Sequence, residues 1–203
     1  MTTFDFKDGN GPVPAHQHSN GGGWVADTAT VADTAYVGLN AWVSGDARVS
    51  GNARVFDRAR VSGNARVFGD ALVLGDARVY DNARVFDTAC VSGTALVLGT
   101  ACVSGNARVF DTACVSGNAL VIERAQVSGN AQVFGDALVF DRARVSGDDL
   151  ISGDAEVSGN AEVGDDVKED MFIEMNGKRF LSIFLFTLLV SLVYFAILAY
   201  VFF

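Results

Sequence analysis

Valine recurs at every sixth position from Val25 to Val163, with Ile151 the single exception. Alanine keeps a second register two residues ahead of it, from Ala29 to Ala161, broken at Asp149. Ala47-Arg48-Val49-Ser50-Gly51-Asn52 is a representative unit. A period of six is not a multiple of 3.6, so an α-helix would scatter the valines around its circumference. A strand handles the pattern simply. Ala and Val lie two apart and share one face, and the residue between them points the other way. The Gly, Asp and Asn that follow favour turns and tolerate left-handed backbone angles. Each hexad therefore predicts a very short strand and a bend.

Such a strand cannot bury its apolar face alone and must stack on copies of itself, with Val and Ala meeting in a continuous core. A bend in every hexad predicts a triangular coil, with three hexads to a winding. The 24 hexads then make roughly eight coils and an all-β rod about 38 Å long, with parallel strands pairing between coils. This divides the chain into an N-terminal cap segment (1–23), the repeat (24–166), a charged cap or linker (167–179) and an apolar C-terminal segment (180–203).

The Ala-Arg-Val-Ser-Gly-Asn texture resembles the hexapeptide-repeat family over Val25 to about Asp166, the greater part of the chain. The resemblance implies a left-handed parallel β-helix. That handedness comes from the family, since parallel crossovers are in general right-handed. Many family members are acyltransferases with a catalytic His and acyl-donor sites between subunits, and some are γ-class carbonic anhydrases with three His on a metal. This repeat contains no His, and its register never slips to release a loop between Val25 and Val163. The repeat thus lacks the His that either chemistry uses in the family. A hexapeptide-type acyltransferase with an inter-subunit site stays as the alternative to a structural role.

The net charge of −9 disfavours general binding to a phosphate backbone. Cys90, Cys102 and Cys114 are an odd number and fall on three different coil faces, so they read as reduced thiols without an internal disulfide. The N-terminus lacks a basic start followed by an apolar run, so no secretory signal is expected. Recurring Ser and Asp residues read as turn formers and solvated corners.

His16 and His18 form a His-x-His pair beside a Gly-rich stretch, Gly21-Gly22-Gly23. Alternating imidazoles can share a metal, which makes the pair a weak candidate for ligands, with Asp5 or Asp8 to complete the set. The competing reading is a cap in which this loop, with Phe4, Phe6 and Trp24, covers the open end of the coil. The triple Gly lacks the Lys-Ser/Thr of a phosphate-binding loop. No cofactor is expected.

Outward residues three hexads apart should stack on one flat face. Arg48, Arg66 and Arg84 form one row, and Trp24, Trp42, Arg60 and Arg78 another. The arginines read either as a stripe for an anion or partner, or as partners of corner carboxylates such as Asp46, Asp70 and Asp76. After the inward Val comes Ser or a large apolar residue, including Phe56, Phe68, Phe86 and Phe110. These rings either dock a partner or a second copy, as a trimer or a stacked assembly, or stack on one another to cover the corners.

Phe180 to Phe203 carries no charge and is long enough to span a hydrocarbon core as one α-helix. Lys178 and Arg179 flank it and favour the cytoplasmic side. The expectation is a single-pass tail anchor with the β-helix in the cytoplasm, acting through its faces as a scaffold for itself or an unidentified protein partner.

Overall fold

The computed structural model of the chain describes residues 2–164, with the backbone of two later strands, Phe172–Met175 and Lys178–Leu181. The described residues form strands, turns and bends, with no helix among them. After β1 (Thr3–Asp5), β2 (Pro12–Gln17) and β3 (Trp24–Ala26), two-residue strands follow one per hexad, from Thr30–Val31 to Glu162–Val163. Each pairs in parallel with the strand three hexads on, as Arg48 with Arg66 and Val49 with Val67. The result is a parallel β-solenoid of about eight windings with three flat faces.

The ladder has one rule. The amide N–H of residue i donates to the carbonyl of residue i+17, as Arg48 to Ala65 and Arg66 to Ala83, both at 2.9 Å. The ladder N–H groups of a winding thus point toward the next winding, so the rod has a carbonyl-rich start and an amide-rich end.

The core follows the two registers. Every Ala and Val on them from Ala35 to Val145 is fully buried. Alanine leaves room at the corner for the bend, and Val fills the axis. Burial of a Val side chain stabilises by roughly 1.5–3 kcal/mol, which repeated along the axis drives the stacking. At the ends, Ala29 and Val31, and Ala161 and Val163, are only partly covered.

From Gly45 to Gly159 each bend places a residue in the left-handed region two positions after the inward Val. Gly fills it in the Ser-Gly corners, for example Gly93 at φ 69°. Asp57, Asp81, Asp87, Asp111, Asp141 and Glu123 fill it elsewhere, at φ of 56° to 63°. These carboxylates all follow an aromatic residue or Ile.

The first face is extended at the N-terminal end by β2 and β1, both antiparallel. The second face, which starts at Thr30–Val31, is extended at its far end by the hairpin of Phe172–Met175 and Lys178–Leu181, which pairs with Glu156–Val157. Among the described residues the third face, from Tyr36–Val37 to Glu162–Val163, has eight strands and no such extension. Among the described residues no helix is long and apolar enough to cross a membrane. Phe180 and Leu181 lie in the last strand, and residues 182–203 of the expected anchor lie outside the described ones.

Candidate functional site

With the axis filled by Val and Ala, chemistry-bearing side chains are confined to faces, corners and the N-terminal cap. The 24 outward positions hold eight Arg and two Glu, while fourteen Asp and Glu occupy corners. The acidic total therefore conceals basic flat faces edged by acidic corners.

The three faces use their arginines differently. On the first face Arg60 lies over the Trp42 ring, 4.4 Å from its centroid, next to Arg78. Partial burial there, and then the charge of Arg78, lowers the pKa of Arg60 from its ordinary value. On the third face Arg54 lies over the rings of Tyr36 and Phe56, Arg108 lies over Phe110, and Arg144 pairs with Glu162 at 3.1 Å. On the second face Arg48, Arg66 and Arg84 are consecutive cross-strand neighbours. All three are exposed. None has a carboxylate within ion-pair distance or a ring beneath it among the described residues. Two of the three corner carboxylates considered as their partners are engaged elsewhere: Asp76 pairs with Arg58 at 2.6 Å, and Asp70 accepts from Asn52 Nδ2 at 3.0 Å.

Polar corners form ladders of their own. Asn118 Nδ2 donates to Asp136 at 2.8 Å, and Thr100 Oγ1 donates to Asn118 Oδ1. Thr112, Asn130 and Asp148 repeat the sequence on another corner.

The apolar corners are half-buried at Phe56, Phe68, Phe86 and Phe110. Phe68 and Phe86 stack face to face, 4.7 Å apart and 3° from parallel, so for this pair ring-on-ring stacking covers the corner. The large hydrophobics that are exposed among the described residues are Leu39, Leu120 and Leu150.

His16 and His18 have separate partners. His16 Nδ1 meets Asp27 at 2.9 Å on the surface. His18 is buried, and its Nε2 donates to the Ala35 carbonyl at 3.1 Å, beside Asn20 Nδ2 at 3.0 Å. The i to i+17 rule assigns that carbonyl to the amide of residue 18. The His18 amide instead donates to Gly23 within the loop, at 2.8 Å. Two side chains thus supply the donor that an earlier winding would have given. Among the described residues no three His, Cys, Asp or Glu side chains are grouped to hold a metal ion.

Two shallow surface recesses accompany these features. One, lined by Phe4, Trp24, Trp42, Leu39 and Arg60, sits beside the cap. Its aromatic surfaces have internal partners, since Phe4 stacks on Trp24 at 4.5 Å and Arg60 covers Trp42. The other lies along a corner with Glu123, Arg124, Asp141 and Arg142.

Cys90, Cys102 and Cys114 are free, half-buried and on three different faces. Burial above all raises the pKa of each thiol. Sequence reasoning missed the role of His18. The left-handed Asp residues agree with the tolerance expected of Asp at these bends, where it replaces Gly at the same hexad position.

The family model of the YdcK β-solenoid repeat matches residues 41–57, 59–75 and 77–93. Each stretch is one winding beginning at an inward Ala of the first face. No curated protein and no solved structure matches the chain. The matched windings and the three-faced coil together make this a β-solenoid repeat protein.

Proposed function

We propose that the protein is a membrane-anchored scaffold: a rigid hexapeptide-type rod, left-handed as in that family, that acts through its faces. The uncharged residues 182–203 hold it to the membrane, with Lys178 and Arg179 keeping the rod on the cytoplasmic side. The observation that supports this reading is the unbroken core. From Ala35 to Val145 each inward position on the two registers is a fully buried Ala or Val, so no inward polar group is present there to do chemistry. What varies from winding to winding is the outer surface, which suits binding by a repeat protein.

The experiment is flotation of the full chain with vesicles after an alkaline wash. The chain is expected to float. A variant carrying Leu188→Arg and Leu189→Arg is expected to be stripped, since each Arg near the centre of a span costs about 2.5–3.5 kcal/mol. Release of the unaltered chain by the wash would refute the anchor. Acyl transfer lost on changing one repeat residue would refute the scaffold.

A further inference from the structure

We propose that the second face, through the row Arg48, Arg66 and Arg84, docks flat on anionic lipid headgroups, so that the rod lies along the membrane instead of standing on its anchor. This deepens the membrane reading above and rests on it for the choice of partner.

The argument begins with an unbalanced feature. Like charges directly opposite on neighbouring strands destabilise a sheet. Here three guanidinium groups are placed in register over two winding steps, about 10 Å in all. Elsewhere on the faces Arg54, Arg60, Arg108 and Arg144 each have a ring or a carboxylate, with Arg78 beside Arg60 the exception. Among the described residues the second-face row has neither over three successive windings, and so presents exposed donors in a plane. A flat array of phosphates and carboxylates complements it.

The rest of the face agrees with a lipid surface. Beyond Arg84 its outward residues are Cys102, Leu120, Leu138 and then Glu156. Leu120 is 39% exposed. The face is basic and apolar, and carries one carboxylate among the outward residues of its parallel strands. It is also the sheet whose outermost strand, Lys178–Leu181, runs into the uncharged segment. The row and the start of that segment thus belong to one sheet, which lets both meet one bilayer.

The three cysteines supply a built-in test, one per face. Cys102 is on the docking face, Cys90 on the third and Cys114 on the first. The full chain would be mixed with phosphatidylcholine vesicles with and without phosphatidylserine, labelled with a membrane-impermeant maleimide, and mapped by peptide mass spectrometry. Cys102 is expected to be protected several-fold over Cys90 and Cys114 on the anionic vesicles only. Replacing Arg48→Gln, Arg66→Gln and Arg84→Gln should weaken the docking about fivefold per arginine, about a hundredfold together, and restore labelling. The matching variant Arg54→Gln, Arg108→Gln, Arg144→Gln should not.

A chain that floats while its three cysteines label alike overturns the docking and leaves the anchor. A chain that misses neutral vesicles but binds anionic ones with Cys102 protected overturns the anchor and leaves the docking. Protection of Cys102 by soluble polyphosphate and not by vesicles overturns the lipid assignment in favour of a soluble polyanion.

Discussion

Asp87, held in the left-handed region at φ 58°, accepts a hydrogen bond on Oδ2 from the backbone N–H of Gly105, one winding on, at 3.0 Å. Asp57 with Gly75, Asp81 with Gly99, Asp111 with Gly129 and Asp141 with Gly159 repeat it. The carboxylate reaches along the rod to the glycine that occupies its own position in the next winding. A corner Asp therefore bridges windings as well as turning the chain.

Substitutions at Asp87 should separate turning from bridging. Asp87→Asn keeps tolerance of the left-handed region and an acceptor oxygen, and should stay within about 0.5 kcal/mol of the original. Asp87→Gly keeps the turn and loses the acceptor, at about 1 kcal/mol. Asp87→Ala loses both and should cost about 2–3 kcal/mol. Urea denaturation of the three variants checks the order.

The same geometry sets a contrast between two glycines. A Cβ at Gly93 would lie 2.6 Å from the Asp111 carbonyl oxygen, whereas one at Gly153 meets nothing within 4 Å. Both have positive φ, 69° and 64°. Gly153→Ala should therefore cost only the backbone penalty, about 1–2 kcal/mol. Gly93→Ala must also force two windings apart and should cost at least about twice that. Equal denaturation midpoints for the two variants would contradict the close stacking of windings.

Loss of the His18 side chain should open the N-terminal end. His18→Ala leaves Asn20 as the side-chain donor to Ala35 and is expected to cost about 1–2 kcal/mol. His16→Ala removes an exposed hydrogen bond with Asp27 and should cost under about 1 kcal/mol. Amide exchange would report the difference locally. Gly23, whose N–H donates to the Val37 carbonyl, and Val37, whose N–H donates to the Asn20 carbonyl, should exchange faster in the His18 variant alone.

Alkaline pH should weaken the rod through its thiols. Burial raises the pKa of Cys90, Cys102 and Cys114 above the ordinary value of 9.0. The folded state then holds these protons more tightly than the unfolded chain. The contribution is fully present below the unfolded pKa and is lost as pH rises through the folded one. Denaturation midpoints should fall above about pH 9, and a variant with all three replaced by Ala should fall less steeply.

What the chain determines by itself is its local geometry. A six-residue period with Ala and Val two apart dictates a strand, a bend and an inward pair, because that pattern is incompatible with helical spacing. The winding of three hexads, and with it the rows Arg48–Arg66–Arg84 and Trp24–Trp42, was also readable, since it needs only three equal bends per turn. Which charge meets which was not. Asp76 paired with Arg58, Asp70 took Asn52, and the second-face arginines kept no carboxylate among the described residues, because reach and direction at a corner depend on the stacked neighbour. His16 and His18 could be read in sequence either as metal ligands or as part of an N-terminal cap. The folded chain separated them, because only in the stacked rod does Ala35 offer a carbonyl whose donor winding does not exist. Periodicity is a property of one unit and its copies. Partners at the corners and at the ends are properties of the finished stack, where hydrogen bonds and charges are satisfied by whatever the next winding, or its absence, puts within reach.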